Sequence, residues 1–236
     1  MLEIKNYKKS YGDKVVVNHL NLKVEDGEIF GFIGHNGAGK TTTIKSIVGI
    51  LDFEEGDILI NSQSIKEKPM ECKRQLAYIP DNPDLYESLT GIQYLNFIGD
   101  LFNVEARLRE TLIRQYGDDF ELTQNLGDSI STYSHGMKQK LAVISALIHQ
   151  PKLLILDEPF VGLDPKAAHT LKQLMRDLCN QGGSIFFSTH VLEVVEKLCD
   201  HVAIIKNGEI VVEGSIEEVM GNQSLEDVFL ELSDHE

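Results

Sequence analysis

Positive charge is scarce in this sequence. Only 22 Lys and Arg stand against 37 Asp and Glu among 236 residues, a formal net charge of −15 at neutral pH. A field of that sign repels phosphate backbones, which excludes nucleic acid as a partner. Cysteine is scarce too. Cys72, Cys179 and Cys199 are odd in number and have no CxxC spacing, which excludes a disulfide scaffold and suits a reducing cytosol. Long apolar runs are lacking: the stretch 153–156 is far shorter than the roughly 20 residues that cross a bilayer, and residues 1–5 hold no apolar signal core. The chain itself is therefore expected outside the bilayer. Repeats, low-complexity tracts and Pro- or Ser-rich linkers are also missing, so an inserted segment should be packed on the core rather than tethered. What is present is ordinary for a globular protein, with 42% hydrophobic and 25% charged residues.

Alternating and β-branched segments predict strands at 2–4, 15–24 and 28–33, the last running into a glycine-rich turn before a helix at 40–49. Strands at 56–60 and 76–79 follow. A mostly helical insert comes next, over 90–115, with a break near 117–119 and a resumption over 136–149. From residue 153 the order is strand (153–157), helix (166–180), strand (184–188), helix (191–198) and strand (201–206), the alternation of a parallel sheet. Asn207-Gly208 then signals a hairpin. Lys206 is the last Lys or Arg, and the acidic tail behind it reads either as a solvated helix face or as an acidic docking segment.

Gly34-His35-Asn36-Gly37-Ala38-Gly39-Lys40-Thr41 satisfies GxxxxGK[ST], between a predicted strand and a predicted helix. Glycines let successive N–H groups turn inward as a nest for phosphate oxygens, and the helix that follows adds the positive end of its dipole. Lys40 is placed to reach the β- and γ-phosphates, and the Thr41 hydroxyl is a hard oxygen suited to Mg²⁺, which borrows only one or two protein ligands. The bare pattern arises by chance in roughly one chain of this length in a hundred. Alone it means a nucleoside triphosphate site and no more.

The apolar run Leu153-Leu154-Ile155-Leu156 ends in Asp157-Glu158. Buried parallel strands deliver side chains at their C-terminal ends, where ligands sit. Two successive carboxylates can divide the work there, Asp157 holding the Mg²⁺ shell and Glu158 polarising an attacking water. The same Asp-Glu-Pro could also simply end a strand. The eight histidines show no paired ligand spacing, so no metal beyond Mg²⁺ is indicated.

Tyr133-Ser134-His135-Gly136-Met137 stands shortly before the acidic strand, and here the chain resembles the ATP-binding-cassette (ABC) ATPases, whose signature is Leu-Ser-Gly-Gly-Gln. Ser134 and Gly136 match; Tyr133, His135 and Met137 depart. The resemblance, to the exporter-type branch, implies an α/β fold: a P-loop ATPase core with a mostly parallel sheet, an N-terminal antiparallel β subdomain and an inserted α-helical subdomain. It implies one nucleotide-binding domain over 1–236, with core and β subdomain in 1–80 and 151–214, the helical subdomain in 81–150 and an acidic extension in 215–236.

By position the resemblance also implies ATP contacts from Tyr11 and the loop Gly34 to Thr42, with Thr42 included. Lys40, Glu158 and His190 are implied as catalytic, Asp164 as the D-loop residue, and Thr41 and Asp157 as Mg²⁺ ligands. Ser134, His135, Gly136 and Met137 would touch ATP held by a second nucleotide-binding domain, in a homodimer or heterodimer. At Ser134 a plain helix N-cap is the alternative, and both roles can hold at once; His190 alone could be a strand-end histidine. Asp81 stands where the family usually has Gln, a position that senses Mg²⁺ through water and faces the membrane partner. The implied cofactors are ATP and Mg²⁺, and the implied partners are integral membrane transporter subunits, which would place the chain at the cytoplasmic face of the membrane. Against this ABC transporter reading stand a soluble ABC ATPase acting as a mechanical or regulatory module and, more distantly, a metabolic kinase or GTPase, for which no base-reading or acceptor motif is found.

Overall fold

The computed structural model describes residues 1–234. Strands β1 (Leu2–Tyr11) and β2 (Lys14–Val24) form a hairpin. With β4 (Glu55–Ile60) and the two-residue β5 (Gln63–Ser64) it makes an antiparallel sheet of order β2-β1-β4-β5. The second sheet holds β3 (Ile29–Ile33), β6 (Leu76–Ile79), β7 (Leu153–Asp157), β8 (Ser184–Thr189), β9 (His201–Lys206) and β10 (Glu209–Ser215), ordered β10-β9-β3-β8-β7-β6. All its pairs are parallel except β9–β10. That last pair turns on Asn207 and Gly208, with φ of 51° and 83°, the double positive φ of a turn whose twist matches a hairpin.

Alternation along the buried strands divides the interior in two. Ile29, Leu154, Leu156, Ile185 and Phe187 face the helical side, whereas Phe30, Phe32, Ile155 and Phe186 face the antiparallel sheet. Phe186 is fully buried and stacks on Phe30 at 5.8 Å between centroids. Phe186→Ala is expected to cost about 3–5 kcal/mol, read as a lower denaturant midpoint at unchanged slope; a shift below about 1 kcal/mol would mean the site collapses without a cavity.

Helix α1 (Lys40–Ile47) follows β3, and the short α2 (Pro69–Lys73) precedes β6. The insert is α3 (Gly91–Leu101), α4 (Ala106–Asp119) and α5 (His135–Leu147). It breaks twice: over 120–134, just past the expected 117–119, and also at 102–105, where none was expected. Asn103 takes a φ of 55° and the Glu105 carboxylate accepts the Leu108 N–H at 3.0 Å, ending one helix and capping the next. Gly117 instead continues α4, buried where Thr123 packs against its backbone. Helices α6 (Pro165–Asn180) and α7 (Leu192–Leu198) alternate with β8 and β9 as the pattern predicts.

The tail is not merely a solvated flank. After α8 (Ile216–Met220), α9 (Leu225–Asp234) buries Leu225 and packs Val228, Phe229 and Leu232 on the core, leaving Glu226, Asp227 and Glu231 outside. None of the helices among the described residues is long and apolar enough to cross a membrane.

Candidate functional site

The C-terminal ends of β3 and β7 and the start of α1 meet in a cleft of about 490 Å³, lined in part by Tyr11, Asn36, Gly37, Gly39, Lys40, Thr41, Thr42, Asp81, Asp157 and Glu158. β3 ends at Ile33, and the loop turns into α1 through Gly39, whose φ of +114° is open to glycine and strained for any other residue. Lys40 is 7% exposed. Its ammonium donates to the carbonyls of Gly34 at 2.6 Å and His35 at 3.1 Å. Burial lowers its pKa from the ordinary lysine value, against the pull of the Glu158 and Asp157 carboxylates. The His35 ring lies outside the cleft, against Phe229, and Ala38 is buried behind the loop.

Asp157 ends β7 at 4% exposure. One oxygen accepts the Thr41 hydroxyl at 2.9 Å, and the other accepts the Ser188 hydroxyl from the paired position on β8. A Thr hydroxyl and a carboxylate oxygen held side by side are a hard donor pair that fits Mg²⁺ completing its shell with water. Among the described residues no group of three or more His, Cys, Asp or Glu could hold a metal ion, so any ion there would borrow few protein ligands. Burial pushes the Tyr78 phenol up, with Asp157 and Asp81 adding to the effect.

Glu158 takes a φ of 51° and donates its N–H to the Ser188 carbonyl at 3.0 Å. This turn aims its carboxylate at His190, whose Nδ1 stands 2.9 Å from Oε2 and whose N–H donates to the same oxygen at 3.3 Å. A carboxylate beside a phosphate loop and ordered by an imidazole can accept a proton from water. Tyr11 is half-exposed at the mouth of the cleft.

Ser134, His135, Gly136 and Met137 do not line this cleft. Ser134 is the N-cap of α5, its hydroxyl accepting the Met137 N–H at 3.2 Å. A Cβ on Gly136 would come within 2.9 Å of the Gly162 carbonyl, so the signature segment and the 162–164 turn are packed backbone to backbone. Asp164 caps α6 through the Ala167 N–H at 2.8 Å and pairs with Lys140 of α5 at 2.8 Å, which together hold its carboxyl below the usual range.

Sequence reasoning gave no role to Lys14, Val16, Ser188 or Lys140. Lys14 and Val16 line the cleft because the β1–β2 register sets Lys14 opposite Tyr11, a pairing the Gly12 turn could have suggested.

A phosphate-type loop between strand β3 and its helix, with an acidic pair at the C-terminal end of β7, a parallel strand separated from β3 by β8, defines a P-loop ATPase. The profile of the ABC transporter family matches residues 17–161, and the chain belongs to that family, as an ATP-binding and ATP-hydrolysing member. It is 34% identical over 238 residues to the ABC-type transporter ATP-binding protein EcsA of Bacillus subtilis (strain 168), covering 99% of this chain and 96% of that one. It is 35% identical over 218 residues to the linearmycin resistance ATP-binding protein LnrL of the same organism, covering 91% and 69%. A solved ATP-binding subunit of an ABC transporter matches with a TM-score of 0.96 at 34% identity, over 99% of this chain and 100% of that chain.

Proposed function

We propose that this chain binds Mg-ATP in the 34–42 cleft and hydrolyses it when a second copy caps the γ-phosphate, and that the cycle drives export through an integral membrane partner at the cytoplasmic face. The observation that carries this reading is the separation of Ser134–Met137 from the cleft that holds Lys40, Thr41, Asp157 and Glu158. Each chain then holds half of two sites, and ATP joins them. Lys40 exchanges its two loop carbonyls for phosphate oxygens, Thr41 and Asp157 hold Mg²⁺, Glu158 polarises water and His190 orients Glu158. Asp81, a lining carboxylate, meets the Mg²⁺ water shell, and Tyr11 faces the base. Ser134, with the N–H groups that open α5, caps the phosphate of the other copy. In domain terms, 1–80 and 151–214 carry the nucleotide, 81–150 carries the cap and 215–236 is an extension.

A groove along α3, lined by Ile50, Tyr78, Tyr94, Ile98, Phe102 and His149, supports a membrane partner. Ile50, Phe97, Leu101 and Tyr86 are exposed around it, an apolar patch that favours a helix of another protein. Export is favoured by the relative named for linearmycin resistance. The experiment is to tag the protein in its native cell and identify what co-purifies in mild detergent. Recovery with a multi-span membrane protein is expected; purely soluble recovery would favour a mechanical or regulatory ABC ATPase.

Two chains of −15 must approach each other. Lowering salt from about 150 to about 10 mM lengthens the screening distance from about 8 to about 30 Å, so ATP-driven dimerisation of Glu158→Gln should weaken at low salt. An equal dimer dissociation constant at both ionic strengths would contradict this.

A further inference from the structure

Helix α9 of the acidic tail lies against the phosphate loop. Helix α9 is opened by a reciprocal pair: the Ser224 hydroxyl accepts the Asp227 N–H at 3.1 Å, and the Asp227 carboxylate accepts the Ser224 N–H at 3.2 Å. Leu225 is fully buried, and its N–H donates to Glu196 of α7 at 2.7 Å. At the other end Lys206 of β9 donates to the Leu232 carbonyl at 2.9 Å. Between these anchors the Phe229 ring lies 4.6 Å from the His35 imidazole, tilted by 48°.

His35 belongs to the phosphate loop, and its carbonyl is one of the two that hold the Lys40 ammonium. The β9–β10 turn steadies the same loop, Gly208 donating its N–H to the Ala38 carbonyl at 3.0 Å. α9 therefore leans on the loop directly through Phe229, on β9 beside that turn, and on α7, which starts shortly after His190. A loop with glycines at 34, 37 and 39 has much freedom to lose when it closes on phosphates. Contacts that hold it in the receiving shape beforehand lower that cost.

We propose that Phe229 is a positioning residue for the phosphate loop: through the His35 ring it fixes the backbone that holds Lys40, so that α9 sets nucleotide affinity without touching the nucleotide. The proposal rests on reading 34–42 as the ATP phosphate site.

The test is a set of variants, Phe229→Leu, Phe229→Ala, His35→Ala and the double His35→Ala with Phe229→Leu. Each is titrated with a fluorescent ATP analogue and assayed for kcat and KM, with melting temperature recorded without nucleotide. Each single variant should raise Kd and KM about three- to tenfold, the range of a pairwise contact, and in the two Phe229 variants kcat should stay within about twofold. The double variant should be no weaker than the worse single. Leu230→Ala, on the exposed side of the same helix, should leave affinity unchanged. Unchanged affinity in Phe229→Leu, or effects of His35→Ala and Phe229→Leu that multiply, would overturn the proposal; if Phe229→Ala fails to fold, the Leu variant decides. Lys40→Ala separates the underlying reading. If it keeps ATP affinity, the phosphate-site reading fails; if it loses affinity while Phe229→Leu does not, only the role of α9 falls.

Discussion

Glu158→Gln should lower kcat by about 10²- to 10⁴-fold, the usual contribution of a positioned general base, while ATP stays bound. The amide has the shape of the carboxylate, and its oxygen can still accept the His190 N–H that now reaches Oε2 at 3.3 Å. What is lost is the negative oxygen that would take a proton from water. Lys40 and Thr41, which would hold the phosphates and Mg²⁺, keep their own partners at Gly34, His35 and Asp157. Affinity and turnover should therefore come apart, with retained ATP on a desalting column and little phosphate release in a single-turnover assay. Turnover within tenfold of the parent would assign the base elsewhere.

Ser134→Arg should remove the dependence of activity on protein concentration. If each cleft lacks its cap until a second copy arrives, specific activity of the parent chain rises with concentration and then levels off. Ser134 is exposed and its hydroxyl accepts one N–H, from Met137. Losing that cap costs about 0.5–2 kcal/mol, which a folded domain of this size tolerates. The bulk and charge of Arg would instead fall where the other copy's ATP must sit. Binding of ATP to the isolated variant should remain normal while its activity stays flat and low across dilutions. A rise with concentration equal to that of the parent would place the cap on other residues.

Local chemistry made much of this legible in the sequence. The apolar run 153–156 reads as a buried strand, and it delivers Asp157 and Glu158 beside Lys40 and Thr41. Asn207-Gly208 specified its turn through two positive φ values. The break at 102–105 was hidden because Asn103 and Glu105 end and start helices without glycine or proline, whereas Gly117 looked like a breaker and serves as a packing point. The tail was weighed by its charge, which concealed the apolar stripe of Leu225, Val228, Phe229 and Leu232. Ser188 and Lys140 were out of reach for another reason. Each acts on a carboxylate distant in sequence, Asp157 and Asp164, and only the sheet register and the approach of α5 to the 162–164 turn bring them there.

The most direct test of ATP held between two copies is the solution mass of Glu158→Gln by light scattering, with and without Mg-ATP, beside the double variant carrying Ser134→Arg. The expected result is one chain without nucleotide, two chains with ATP, and one chain for the double variant under both conditions. A mass of one chain for Glu158→Gln with ATP demonstrably bound would contradict the shared site.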